Sequence, residues 1–178
     1  MVVTRRTDEL SAAETAALRE LFHAAWNDGS NGFTEEDWEH AVGGVHFILE
    51  AGGAIVAHAS VVERELHTGV HRLATGYVEA MATWPSRQRQ GYGSAVMREV
   101  DDHIDRTFQL GALDTGIPAF FERLGWVGWR GPTFVRTSSG LVRTAEEDGQ
   151  VLVRLTPTSP ELDLSAPISC DWRPGDVW

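Results

Sequence analysis

Two glycines separated by one residue, in Gln88-Arg89-Gln90-Gly91-Tyr92-Gly93-Ser94, constrain this chain more than any other feature. The stretch follows an apolar run, Gly76 to Thr83, that reads as a strand. It opens a segment from Gly91 to about Phe108 in which Val96 and Val100 lie on one helical face. Glycine at a strand-to-helix junction permits positive φ and lets a ligand approach the backbone closely. The helix N-terminus contributes unpaired N–H groups and a partial positive charge. Arg87 and Arg89 add guanidinium donors suited to phosphate. The junction therefore reads as a pyrophosphate cradle built from Arg87, Gln88, Arg89, Gln90, Gly91, Tyr92, Gly93 and Ser94. A P-loop is excluded by the missing Gly-Lys-Ser/Thr ending, and a dinucleotide fingerprint by the missing third glycine. A glycine-rich helix start without a ligand is the plain alternative.

The rest of the chain supplies a mixed α/β order. Ser11 and Glu14 form a capping box ahead of Leu18, Leu21, Phe22 and Ala25, which predicts a first helix. Residues 27–32 read as a loop, and Thr34 caps a short second helix that carries Asp37 and Trp38. Strands are expected over Val45–Glu50 and Ala54–Val62, joined at Gly52-Gly53, and over Arg72–Thr83. Beyond the long helix, a buried strand is expected at Gln109–Leu113, then a helix from Pro118 to Leu124. Further strands follow at Trp126–Trp129, Thr133–Thr137 and Val151–Leu155. The tail, 157–178, reads as irregular but carries Trp172 and Trp178, so it is expected to pack back onto a single domain spanning 1–178.

Charge narrows the partner. With 26 acidic against 15 basic side chains the formal net charge is -11, a surface that repels phosphate backbones and anionic membranes and suits a cationic small molecule. No apolar run approaches the roughly 20 residues that span a bilayer, and no signal-peptide core is visible, so a cytoplasmic protein is expected. Cys170, the single cysteine, reads as a packed residue. The seven histidines lack metal-ligand spacing, so no metal is assigned, and His58, inside an apolar strand, reads as structural.

Glu79 stands out in the strand that leads into the cradle. Alternation puts Tyr77, Glu79, Met81 and Thr83 on one face. An acid in an apolar strand has its pKa pushed up, which suits a general base near neutral pH; a solvated edge-strand glutamate is the alternative.

The cradle resembles the Gln/Arg-x-x-Gly-x-Gly/Ala loop with which the GNAT superfamily binds acetyl-CoA. Longer stretches resemble the aminoglycoside 2'-N-acetyltransferases: Phe33–His40 with Gly43-Gly44, Gly53–Ala59, Gly76–Glu79, Gln109–Leu113, Gly125-Trp126 through Thr133, and Cys170–Trp178. The resemblance implies a GNAT fold with a mixed, V-shaped sheet flanked by helices and opening near Met81 to Thr83. There the backbone of Met81, Ala82 and Thr83 would hold the pantetheine arm. It implies acetyl transfer from acetyl-CoA to an amine, with Glu79 acting through water as base. It also implies a substrate pocket lined by Asp37, Trp38, Glu79, Asp114, Glu147, Asp176 and Trp178 with its terminal carboxylate, matching the ammonium groups of an aminoglycoside. A homodimer is implied by analogy alone.

Four departures fall near that pocket. Phe121 occupies the place of the family's tyrosine, the proposed acid for the leaving thiolate. Gly32 replaces an aspartate, Glu147 another, and Asp114-Thr115-Gly116 replaces a serine-rich run. These changes imply retained chemistry with an altered acceptor range, which brings in a small aminoglycoside such as kasugamycin, a compound bearing a 2'-amine and fewer cationic groups. An acetyltransferase for a cell-wall amino sugar or polyamine, and a non-catalytic acetyl-CoA sensor, are the competing readings.

Overall fold

Local signals start most elements where the sequence places them. In a computed structural model that describes residues 1–26 and 32–178, the first helix, α1 (Ala12–Ala25), begins at Ser11, whose hydroxyl accepts the Glu14 N–H while Glu14 returns a bond to the Ser11 N–H. Helix α2 (Glu35–Ala41) is capped in the same way by Thr34 and Asp37. The loop expected over 27–32 lies, apart from Gly32, outside the described residues.

The described residues divide into two compact units, 1–62 with 78–102, and 63–77 with 103–178. Two long strands, β3 (Ala54–Thr68) and β4 (His71–Thr83), contribute to both.

The first unit opens on an edge strand that the polar N-terminus did not reveal, β1 (Val2–Arg6). It pairs antiparallel with β2 (Val45–Ala51), from Val2↔Leu49 to Arg6↔Val45. The β2–β3 hairpin closes at Ala51↔Ala54 through Gly52 and Gly53, whose φ values of 64° and 78° are those a type I′ turn requires. Leu18, Leu21 and Phe22 of α1 are buried against Ile48, Ile55 and Ala82, ringed by Trp26, Phe33, Trp38 and Trp84. Most of the long helix α3 (Tyr92–Thr107) belongs here.

The second unit carries a mixed sheet. Its strand order is β6 (Val127–Gly128), β9 (Val151–Leu155), β5 (Leu110–Asp114), β4, β3, β10 (Ile168–Asp171), β7 (Thr133–Thr137) and β8 (Gly140–Arg143). A parallel neighbour needs a crossover, and α3 provides it between β4 and β5. That ladder runs from Thr75↔Leu110 to Tyr77↔Ala112. Helix α4 (Pro118–Glu122) is shorter than the sequence suggests. Trp126 and Trp129 form the interior, and Gly131 is required because a Cβ there would sit 1.9 Å from the Ala166 carbonyl.

The tail corrects the sequence reading in two ways. It is not irregular throughout, since Ile168–Asp171 form β10, parallel to β7 and antiparallel to β3. Of its tryptophans only Trp178 packs, at 4% exposure, while Trp172 is 60% exposed. Arginines hold it in place: Arg136 donates to the Ser169 carbonyl, and Arg64 to the carbonyls of Asp171 and Val177.

Candidate active site

Strand β4 does not keep the alternation expected of it. Ala80 has φ 47°, a left-handed conformation that costs an L-residue about 1–2 kcal/mol. The result is a bulge: Tyr77 and Val78 are both buried, Glu79, Ala80 and Met81 half-buried, Ala82 buried again and Thr83 half-buried. Two side chains of β3 secure it. The Ser60 hydroxyl donates to the Glu79 carbonyl at 3.3 Å, and His58 Nδ1 donates to the Ala80 carbonyl at 2.9 Å. Glu79 thus sits one residue before a left-handed residue whose carbonyl a buried histidine holds in place.

Past Thr83 the chain turns through Trp84 and Pro85, with the Trp84 indole N–H bonded to the Ile55 carbonyl at 2.9 Å. Arg87, Gln88, Arg89, Gln90 and Gly91 are exposed. Arg89 (φ 59°) and Gly91 (φ 84°) are both left-handed, so the loop reverses twice within three residues. Gln90 ties it back to the Ser86 carbonyl at 3.2 Å. Tyr92, Gly93 and Ser94 form the first turn of α3 ahead of its first backbone bond, Ala95 N–H to Gly91 O. Their N–H groups are the ones a helix leaves unpaired, and the turn carries no acidic side chain. Unpaired donors, two exposed guanidinium groups and no opposing carboxylate fit a pyrophosphate.

The expected acids fall into two settings. In the first unit Asp37 is engaged as the α2 cap, with its carboxylate 2.8 Å from both the Thr34 N–H and hydroxyl. Trp38, next to it, lies under the Arg19 guanidinium at 4.5 Å. In the second unit Asp114, Glu147 and Asp176 come together although far apart in sequence. Burial, then the charge of Asp176, pushes the Asp114 carboxyl above its usual range; its Oδ2 is buried and takes no hydrogen bond among the described residues. Burial and the Asp114 carboxyl push Glu147 up to about 7. The adjacent Asp148 does the opposite: its ion pair with Arg143 holds it down at about 2. Asp176 is exposed, and Trp178 is buried with its indole N–H on the Thr144 hydroxyl at 3.0 Å.

Phe121 is buried beside Phe120 and Trp126, an apolar setting with no acid in the aromatic position. Tyr77 is also buried, with the guanidinium groups of Arg64 and Arg173 at 4.6 Å and 5.7 Å from its ring centroid. Three groups that sequence reasoning did not bring to the site are Ser60, His46 and His58. Their only sequence signal is polar residues inside two apolar strands, His46 in β2 and His58 and Ser60 in β3. Among the described residues no cluster of three or more His, Cys, Asp or Glu could hold a metal, and no helix is long and apolar enough to cross a membrane.

Comparisons with known proteins bear on the fold and the family. A family model for the acetyltransferase (GNAT) domain matches residues 42–128, a span that holds β4, the loop and α3. An aminoglycoside 2'-N-acetyltransferase from Mycolicibacterium fortuitum is 44% identical over 151 residues, covering 82% of this chain and 77% of that protein. Among solved structures the chain is similar to Escherichia coli ElaA, with a TM-score of 0.62 at 12% identity over 86% of this chain and 98% of that one. It is also similar to a GNAT family acetyltransferase from Brucella melitensis in complex with acetyl-CoA, with a TM-score of 0.53 at 16% identity over 85% and 94%. At such identities the structures establish the GNAT fold alone. The sequence relationship goes further, and with it the chain belongs to the aminoglycoside 2'-N-acetyltransferase family.

Proposed function

We propose that this protein transfers the acetyl group of acetyl-CoA to an amine, the 2'-amine, of an aminoglycoside, and so confers resistance to it. The observation that carries the reading is the placement of Glu79: a half-buried carboxylate at a fixed bulge, a few residues ahead of a loop suited to pyrophosphate. Family membership supports the same chemistry.

In this reading the first turn of α3, with Arg87, Gln88, Arg89 and Gln90, holds the pyrophosphate, and the backbone of Met81, Ala82 and Thr83 holds the pantetheine. The amine attacks the thioester carbonyl; the N–C bond forms and the C–S bond breaks. Glu79 takes the amine proton through a water, and with Phe121 unable to donate, solvent protonates the thiolate, whose ordinary pKa is about 8.5. Asp114, Glu147 and Asp176 are assigned to the ammonium groups of the acceptor, as are Asp37 and Trp38; Trp178 is an apolar support. The working form is a cytoplasmic homodimer without nucleic-acid or membrane partners.

The test is an acceptor panel with acetyl-CoA: 2'-amino aminoglycosides, matched 2'-hydroxyl compounds, kasugamycin, amino sugars and polyamines, read by mass spectrometry for a gain of about 42 Da. Acetylation of the 2'-amino compounds only is expected. Turnover confined to polyamines or cell-wall amino sugars would replace the substrate assignment, and no turnover on any amine would replace the enzyme.

A further inference from the structure

We propose that His58 and His46 are positioning residues for acetyl transfer: a buried, one-directional hydrogen-bond relay that fixes the bulge at Ala80 and through it the direction of Glu79. The inference rests on the reading of Glu79 as base.

The relay has four links, all within the first unit. The Gly43 N–H donates to the Thr7 hydroxyl oxygen at 2.9 Å. Thr7 Oγ1 meets His46 Nε2 at 2.9 Å, His46 Nδ1 meets His58 Nε2 at 2.9 Å, and His58 Nδ1 meets the Ala80 carbonyl at 2.9 Å. Its sense follows from the last link. A carbonyl only accepts, so His58 must carry its proton on Nδ1. Neutral His58 then accepts at Nε2, which requires the His46 proton on Nδ1 as well. His46 in turn accepts at Nε2, and the Thr7 hydroxyl donates to it at 2.9 Å in preference to the Gly44 carbonyl at 3.4 Å. Each ring nitrogen then has one role, and both rings are neutral. Both are fully buried, and burial holds His46 at about 4 and His58 at about 3, so neither charges near neutral pH.

Two buried imidazoles in line are more than packing requires. An apolar pair would fill the space without polar groups that each need a partner. What the relay supplies is a tautomer: without His46, the His58 proton is free to move to Nε2, and a lone pair would then face the Ala80 carbonyl. The end of the relay is the left-handed residue next to Glu79, whose own carbonyl is held by Ser60. Loss of the last link lets the bulge relax and the Glu79 carboxylate swing, which lowers turnover without weakening either substrate.

The first measurement is long-range proton–nitrogen NMR on the wild-type protein, which reads ring tautomers without turnover. Both histidines are expected as the neutral Nδ1–H form from pH 5 to pH 8; an Nε2–H tautomer on either ring, or titration near the ordinary 6.5, overturns the relay. The second compares His58→Leu with His58→Asn, whose amide N–H takes the place of Nδ1–H. His58→Leu should lower kcat about tenfold, with acceptor KM and acetyl-CoA affinity within about twofold, and His58→Asn should recover most of the loss. Wild-type kcat in the leucine variant, or equal impairment of both, overturns the positioning role. If His58→Leu does not fold, the same comparison is made with His46→Leu and His46→Asn. Wild-type turnover in Glu79→Gln would instead remove the base assignment, a result the ring tautomers do not depend on.

Discussion

Replacing Gly91 separates the shape of the cofactor loop from its charge. Gly91 has φ 84°, and a Cβ added there would meet nothing within 4 Å. Gly91→Ala therefore adds no clash and costs only the left-handed strain of an L-residue, about 1–2 kcal/mol. In a chain of this size that strain lowers the melting temperature by roughly 2–4 °C per kcal/mol. Gly91→Asp carries the same strain and adds a carboxylate at the helix end assigned to the pyrophosphate. A unit charge roughly 5 Å from another at an effective dielectric of about 20 costs about 3 kcal/mol, which is more than 100-fold in affinity. Titration calorimetry with acetyl-CoA should thus place Gly91→Ala within about tenfold of wild type and Gly91→Asp at least about 100-fold beyond it. Raising salt to about 1 M, where the screening length is about 3 Å, should narrow the gap between the two variants and leave the alanine penalty untouched. An aspartate variant that binds acetyl-CoA within about threefold of the alanine variant would refute the loop as a phosphate site.

Other substitutions test other parts. Glu79→Gln keeps the shape of the side chain and removes the base, so kcat should fall by about 100-fold at neutral pH, with a smaller loss at high pH where the amine is already neutral; steady-state rates across pH decide it. Glu147 has its folded pKa raised from 4.5 to about 7, so the native state keeps a proton that the unfolded chain has released, and stability falls as pH climbs through that window. Glu147→Gln should flatten this slope and melt above wild type at pH 8, and parallel melting curves for the two proteins would show that Glu147 titrates normally. Gly131→Ala should destabilise strongly in denaturant melts, because its Cβ would lie 1.9 Å from the Ala166 carbonyl, a backbone atom that cannot yield cheaply.

What the sequence disclosed depended on how local the signal was. Capping by Ser11 and Thr34 and the Gly52-Gly53 turn use neighbouring residues, and all three were legible. Strand β10 was not, because Ile168–Asp171 gain their meaning from β3 and β7, far away in the chain. The bulge escaped notice for a different reason. Alanine gives no hint of positive φ, and what stabilises Ala80 is a histidine on the neighbouring strand. The same holds for the site. Glu79 and the Gly91 loop lie within one continuous stretch and could be read together. That Asp114 and Glu147 perturb each other, and that Asp37 also caps its own helix, required coordinates.

The acids of the second unit differ in a way that bears on their use. Asp148 lies one residue from Glu147, yet Arg143 neutralises it, and Thr133 hydrogen-bonds the same carboxylate, so it is built into the framework. Asp114 and Glu147 sit against each other instead, and burial, more than any neighbour, raises both pKa values; the charge of Asp176 adds to both, and Asp114 adds to Glu147. Half-buried without a cation among the described residues, the Glu147 carboxylate destabilises the protein as pH rises, a cost that an ammonium group of the acceptor, under the proposed function, would remove. An ammonium group held beside Glu147, as the proposed function has it, would bring its raised pKa back toward the ordinary range and so favour release of its proton. Under the proposed function, acceptor binding at this cluster is coupled to proton release from Glu147, and acceptor affinity should vary with pH through the window near 7.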